Sequence, residues 1–302
     1  MADASILPYD ACPTVSLEWE PFSQSRRQLQ REFSTLSHAA DFARLYAAAP
    51  SDAARARLLS VSAKGAQAHW AAIPAFYHFI LPTGEATVSL NLQLGLPLPS
   101  LLGVRTCHCG ATIDNLGYHY LICNRRGWTL RQHDSLKDEV EAMLKSVYPS
   151  GSVQKEPTQY RDYSPNHRPD VVVRNWDGRG NYLAVDVSVT FPCASTYVAR
   201  ASRERLYAAN KREADKANVY GDMGPHRLVT FAVESFGALG PGARGLVEQC
   251  ARIRHNRLVQ EAATASWSTR SFRSYWLQRF AVCLQRMIGR GVESRAVADW
   301  VP

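Results

Sequence analysis

The 302-residue sequence has no uninterrupted apolar run long enough to span a bilayer. Its best candidate, HWAAIPAFYHFILP at 69–82, is broken by histidine and proline. The N-terminal MADASILPYDACP lacks a basic segment followed by an apolar one, so no secretory signal is expected. There is no fixed-period repeat and no low-complexity tract, which sets aside repeat arrays and biased linkers. No basic run is long enough to be a clear nuclear address. Acidic residues are the scarcer charge, 27 against 35 basic ones, giving a net charge of +8 and a pI near 9.2. That balance favours an anionic partner, nucleic acid or an acidic membrane surface; with no spanning run, no membrane partner is expected. The expected setting is intracellular, and nuclear if the partner is nucleic acid. Seven cysteines in such a chain point to a metal or free thiols rather than disulfides.

What is present falls into four stretches. Residues 1–102 read as a helical, linker-like region, irregular up to about residue 22 and Ala-rich beyond it. Leu36, Ala40, Phe42, Leu45 and Tyr46 could share a helix face, and Ser51 and Asp52 sit where an N-cap belongs. Residues 103–128 are a short, polar, Cys- and His-bearing loop. Residues 129–262 read α-β-β-β-α-β-α, an α/β arrangement with a mixed sheet. Residues 263–302 read as a basic, aromatic C-terminal helix, whose Phe272, Tyr275 and Trp276 are expected in the core.

Within 103–128, Cys107, Cys109, His119 and Cys123 form C-x-C-x9-H-x3-C. Zinc takes tetrahedral sets of thiolate and imidazole, and structural sites close all four positions. Gly110 and Gly117 give the loop freedom to wrap an ion. The segment is too short and polar to form a core, so a metal would supply its stability. The other four cysteines, Cys12, Cys193, Cys250 and Cys283, are scattered. The expectation is one structural zinc.

The stretch RPDVVVRNWDGRGNYLAVDVSV places Asp170 and Asp186 in two apolar strands flanking a turn. An aspartate inside LAVDVSV needs a partner or a metal. If the strands are antiparallel neighbours, both carboxylates reach one end of the sheet and can hold magnesium or manganese through oxygen. Such ions activate water in phosphodiester hydrolysis, and a nearby lysine would steady the phosphate charge. Glu139 on the preceding helix is a candidate third carboxylate. Beside Lys137, Asp138 and Glu141 it also reads as an ordinary solvated face.

RPD followed by VDVSV resembles the PD-(D/E)-x-K nuclease superfamily. The ordered set CHCG…DNLGYHYLIC, RQHDSLKDEV, RPDVVV and AVDVSVTFP is similar to the C-terminal part of non-LTR retrotransposon reverse transcriptase-like proteins that carry a restriction-like endonuclease. The resemblance covers roughly residues 45–262. It implies a restriction-endonuclease-like α-β-β-β-α-β core preceded by a CCHC zinc knuckle. It also implies Asp170 and Asp186 as metal ligands and nicking of target DNA to prime reverse transcription. The chain departs from the wider superfamily at Ser188, where lysine is usual. The family carries that lysine on the following helix, which offers Lys211 and Lys216; Lys216, four before Tyr220, fits its Lys-x3-Tyr pattern. No YxDD-type polymerase motif occurs, which leaves a truncated element, a domesticated fragment or a standalone relative, with a separate reverse transcriptase among the partners to expect.

Arg131 and His133 match the family's Arg-x-His pattern, at a helix start that can face a phosphate. Arg125, Arg126 and Trp128 join charge to a stacking surface, and Arg168 adjoins Asp170. These are the expected contacts to DNA or RNA. The alternative function is a catalytically inactive nucleic-acid-binding scaffold, kept open by Ser188.

Overall fold

The computed structural model describes residues 26–157, 168–258 and 265–299. Cys12 and the expected irregular start lie outside them. The chain divides into two units, 1–48 and 49–302. The first contributes one described helix, α1 (Arg26–Ala47), on which Phe42 and Tyr46 stack.

The second unit opens with α2 (Asp52–Val61), started by the Ser51 hydroxyl accepting from the Ala54 N–H at 3.2 Å. Next come α3 (Thr83–Leu94) and the short α4 (Tyr118–Ile122). Then α5 (Trp128–Val147) buries Leu136, Val140, Met143 and Leu144 along one stripe. Strands β1 (Val153–Lys155), β2 (Val171–Val173) and β3 (Leu183–Thr190) pair antiparallel in sequence. The β2–β3 turn is built by side chains: Asn175 Oδ1 accepts from Gly180 N at 2.7 Å and Asp177 Oδ1 from Arg179 N at 2.9 Å. After α6 (Val198–Ala201), α7 (Tyr207–Tyr220) crosses over to β4 (Arg227–Glu234), which pairs parallel to β3. A parallel neighbour requires such a crossover. The sheet is therefore mixed, in the order β1-β2-β3-β4. Helices α5 and α8 (Pro241–Ile253) pack on it along with α7. Val172, Ala184 and Val185 are fully buried, as strands covered on both faces must be.

The last helix, α9 (Phe272–Asp299), is buried on nearly every side. Phe272, Tyr275, Trp276 and Phe280 lie in the core. α9 also packs against α3, α4, α5 and α8. Two sequence expectations change here. Residues 49–102 do not form a separate helical region, because Phe79, Val88, Leu92, Leu98 and Leu101 share one core with the sheet and α9. The C-terminal segment buries Phe272, Tyr275 and Trp276 as expected, but its basic side chains do not all face solvent. Three of its arginines, Arg279, Arg286 and Arg295, are internal: Arg279 lies over Trp276, and Arg286 donates to the Tyr77 carbonyl at 2.7 Å. Among the described residues no helix is long and apolar enough to cross a membrane.

Candidate functional site

The β2–β3 register pairs Val171 with Val185, so Asp170, one step before β2, comes opposite Asp186. Opposed residues of an antiparallel pair send their side chains to the same face. Asp170 bridges the gap itself: its Oδ2 accepts from the Val187 N–H at 2.7 Å. The same oxygen meets His133 Nε2 at 3.1 Å, which ties it to α5. Asp186 is held from the other side by α7. Lys216 Nζ lies 3.0 Å from both of its oxygens, and Tyr220 donates to Oδ2 at 2.8 Å. Lysine and tyrosine four apart stand on one face of a helix. The two strands, α5 and α7 thus converge on one pair of carboxylates.

Burial pushes the Asp186 carboxyl above the usual carboxylate range; the Lys216 charge opposes this and the Asp170 charge adds to it. The Asp170 bond raises the His133 imidazole against the effect of burial. The two carboxylates thus stand on one face of the sheet, each held by side chains from a neighbouring helix.

Around the pair, Ser188 is occupied by Arg212, whose Nε donates to its hydroxyl at 3.1 Å. Lys211 pairs with Asp215 instead and takes no part. On the α5 side, Lys137 bonds Asp134 at 2.8 Å and also Glu156, whose other oxygen accepts from Arg168 at 2.7 Å. The Glu156 N–H donates to the Asp170 carbonyl at 2.8 Å, so this ion network fixes the approach to Asp170. The sequence pattern showed Lys137 as surface charge; its carboxylate partner Glu156 lies nineteen residues on.

Glu139 is not brought to this group. It lies six residues after His133, about 120° around the helix. There its carboxylate pairs with Arg279 of α9 at 2.6 Å, with His78 at 3.8 Å. Burial pushes its carboxyl up, and Arg279 opposes that shift. Nor does His133 stand free for a phosphate, since it is engaged with Asp170 and Asp134. Arg131 lies over the Trp128 ring at 4.8 Å, and Arg126 donates to His108 at 3.3 Å. Arg125 is exposed.

The four Cys/His ligand atoms of Cys107, Cys109, His119 and Cys123 all lie within 4.8 Å of one another. Cys107 and Cys123 sulfurs are 3.8 Å apart, and Cys109 Sγ is 3.2 Å from His119 Nε2. Tetrahedral thiolates on zinc at about 2.3 Å would stand about 3.8 Å apart. Gly110 and Gly117 both take positive φ, +88° and +69°, to wrap the loop. Burial pushes the Cys107 thiol up to about 12, so a cation is what would let it ionise. The cluster can therefore hold a metal such as zinc.

This cluster is anchored to α9. Asp299 accepts from Tyr120 at 2.8 Å and bonds His108. Arg295, only 1% exposed, donates to the Cys123 carbonyl at 3.2 Å and lies 4.7 Å over the Tyr120 ring. Three thiolates on a divalent ion leave one net negative charge, which this buried guanidinium would balance.

The chain matches no protein-family model and no curated protein.

Proposed function

We propose that the chain is a metal-dependent nuclease of the restriction-like class, hydrolysing phosphodiester bonds in DNA. The observation that carries the reading is the convergence on Asp170 and Asp186 of a lysine delivered from α7, in place of the one missing at Ser188. The element order α5-β1-β2-β3-α7-β4 also supports it, being the order of that class's core.

Asp170 and Asp186 would hold magnesium or manganese, which supplies Lewis acidity to a phosphate and lowers the pKa of water. The chain's own groups have separate tasks. Lys216 places a positive charge beside Asp186, where it can offset charge building on a phosphate oxygen. Tyr220 and His133 hold one carboxylate each by direct hydrogen bonds, which fixes their orientation. Arg125, Arg131 and Arg168 lie on the segments leading into this site and are the nearest candidates for positioning the backbone. Cys107, Cys109, His119 and Cys123 would carry a structural zinc. In the element type the sequence resembles, the cut primes reverse transcription; for this chain the polymerase would be a separate partner.

The test is incubation with supercoiled plasmid and magnesium or manganese. Wild type nicks; Asp170→Ala and Asp186→Ala do not; Lys216→Ala falls by about 10²- to 10³-fold. Equal nicking by all four proteins would end the proposal. The Ser188–Arg212 bond supports a second reading, a silent nucleic-acid-binding domain. Tight DNA binding with no divalent-dependent cleavage would select it.

A further inference from the structure

The chain's positive charge is unevenly placed. Residues 241–273 hold six arginines and two glutamates, half of the net +8 in about a ninth of the length. Arg244, Glu248 and Arg252 recur every four residues on α8, so they form one stripe on its outer side while Ala243, Leu246, Val247 and Cys250 face the core. The stripe borders two adjoining hollows. One is lined by Lys64, Arg244, Glu248 and Arg273, the other by Glu248, Arg252, His255 and Arg273.

The acid in this stripe is already neutralised, because Glu248 pairs with Arg273 at 2.8 Å. Lys64, Arg244, Arg252 and His255 have no side-chain ion pair or hydrogen bond among the described residues. Every other lysine and several arginines are committed: Lys137, Lys145, Lys155, Lys211, Lys216, Arg279 and Arg290 all have carboxylate partners. Glu213 offsets Arg244 only through space, without a direct ion pair. Keeping several like charges together with so little compensation costs electrostatic energy, which an anionic partner would recover.

We propose that the outer stripe of α8, with Lys64, is a track for the phosphate backbone of duplex nucleic acid, separate from the contacts around Asp170. The dimensions suit that partner. Eight residues of helix separate Arg244 from Arg252, about 12 Å. Measured along the duplex axis, about 12 Å corresponds to three to four phosphates of one strand at 3.4 Å each. The hollow beside Arg252, about 370 Å³, has room for a phosphate, while the one beside Lys64 and Arg244, about 20 Å³, leaves those two cations to meet the backbone at its rim. The track rests on the nucleic-acid part of the function proposed above and is independent of cleavage.

The experiment measures binding of a 30-base-pair duplex by fluorescence anisotropy between 50 and 300 mM salt, with no divalent ion added. Each lost phosphate contact makes the slope of log affinity against log salt shallower by about 0.9. Arg244→Gln/Arg252→Gln is expected to flatten the slope by about 1.8, and adding Lys64→Gln flattens it further. Lys145→Gln, which removes a paired cation on α5, leaves it unchanged. Circular dichroism confirms that the variants are folded. An unchanged slope in the double variant overturns the track. So does an equal effect of Lys145→Gln, or preferential binding of phosphatidylserine vesicles over the duplex. Plasmid nicking is assayed separately. Binding that loses slope without any nicking would defeat the nuclease reading and keep the track; nicking with an unaltered slope would do the reverse.

Discussion

Glu139 shows how one side chain changes meaning with its neighbours. On sequence it stands among charges on a helix start-to-middle; in space it meets Arg279, which is half-enclosed between Trp276 and Tyr275. Removing one partner of such a pair leaves a charge with no compensation. Glu139→Gln is expected to lower stability by about 3 kcal/mol in urea unfolding, the low end for a buried pair, while nicking per folded molecule stays at the wild-type level. A loss of nicking with full stability would return Glu139 to the reaction centre. His69 makes a second prediction at this scale. Burial lowers its pKa from 6.5 to about 4, beside Ser89 and Gln93. Between those two values the unfolded chain binds the extra proton, so stability is complete above about pH 6.5 and falls as pH drops toward 4. From pH 7 to pH 5 the loss is about 2 kcal/mol. Urea midpoints at the two pH values, compared between wild type and His69→Gln, should show that part of the difference vanish in the variant. At this scale the sequence made Asp170, Asp186 and the cysteine–histidine set legible, because their spacing is local. Asp186 in an apolar strand is conspicuous, and Lys216 lies four residues before Tyr220 on one helix face. The tie from His133 to Asp170 was not legible, since its partner lies 37 residues away on another element.

Among elements, the contact of α3 with α9 depends on a missing side chain. A Cβ on Gly289 would lie 2.6 Å from the Glu85 Cα, a backbone atom that cannot swing aside. Gly289→Ala is expected to lower the melting temperature, because overpacking of about 1–3 kcal/mol exceeds the gain in helix propensity. Gly245→Ala on α8 has nothing within 4 Å of the new methyl and should raise it. If both changes stabilise, the close packing of α3 on α9 is not as described. The strands and α5 were readable from period and turn chemistry. The placement of α9 was not. Its Arg279, Arg286 and Arg295 look like surface charge in one dimension. They are buried because Glu139, the carbonyls of Tyr77 and Ile80, and Cys123 with Tyr120 are delivered by distant segments. No local pattern reports a partner some 140 to 209 residues away.

For the molecule as a whole, the Cys/His cluster is part of the main core rather than an appendage. Cys107, Cys123, Tyr120 and Leu121 belong to the same buried cluster as the sheet and α9. Removing bound metal is therefore expected to lower the melting temperature of the whole second unit in a single transition. Scanning calorimetry with a chelator, with zinc added back, and with Cys109→Ser would measure it; an unchanged melting temperature after stripping would show that no structural metal is held. The tie between Asp299 and His108 has a further consequence in time. The two residues are 191 positions apart. At about 5–20 residues per second, a ribosome needs roughly 10–40 s to make that interval. Throughout it, the thiols of Cys107 and Cys123 have been made but the helix that covers them has not. Metal capture before α9 arrives would protect these thiols from oxidation, so with a metal bound the order of loading and closure would govern how much of the newly made chain reaches its native state.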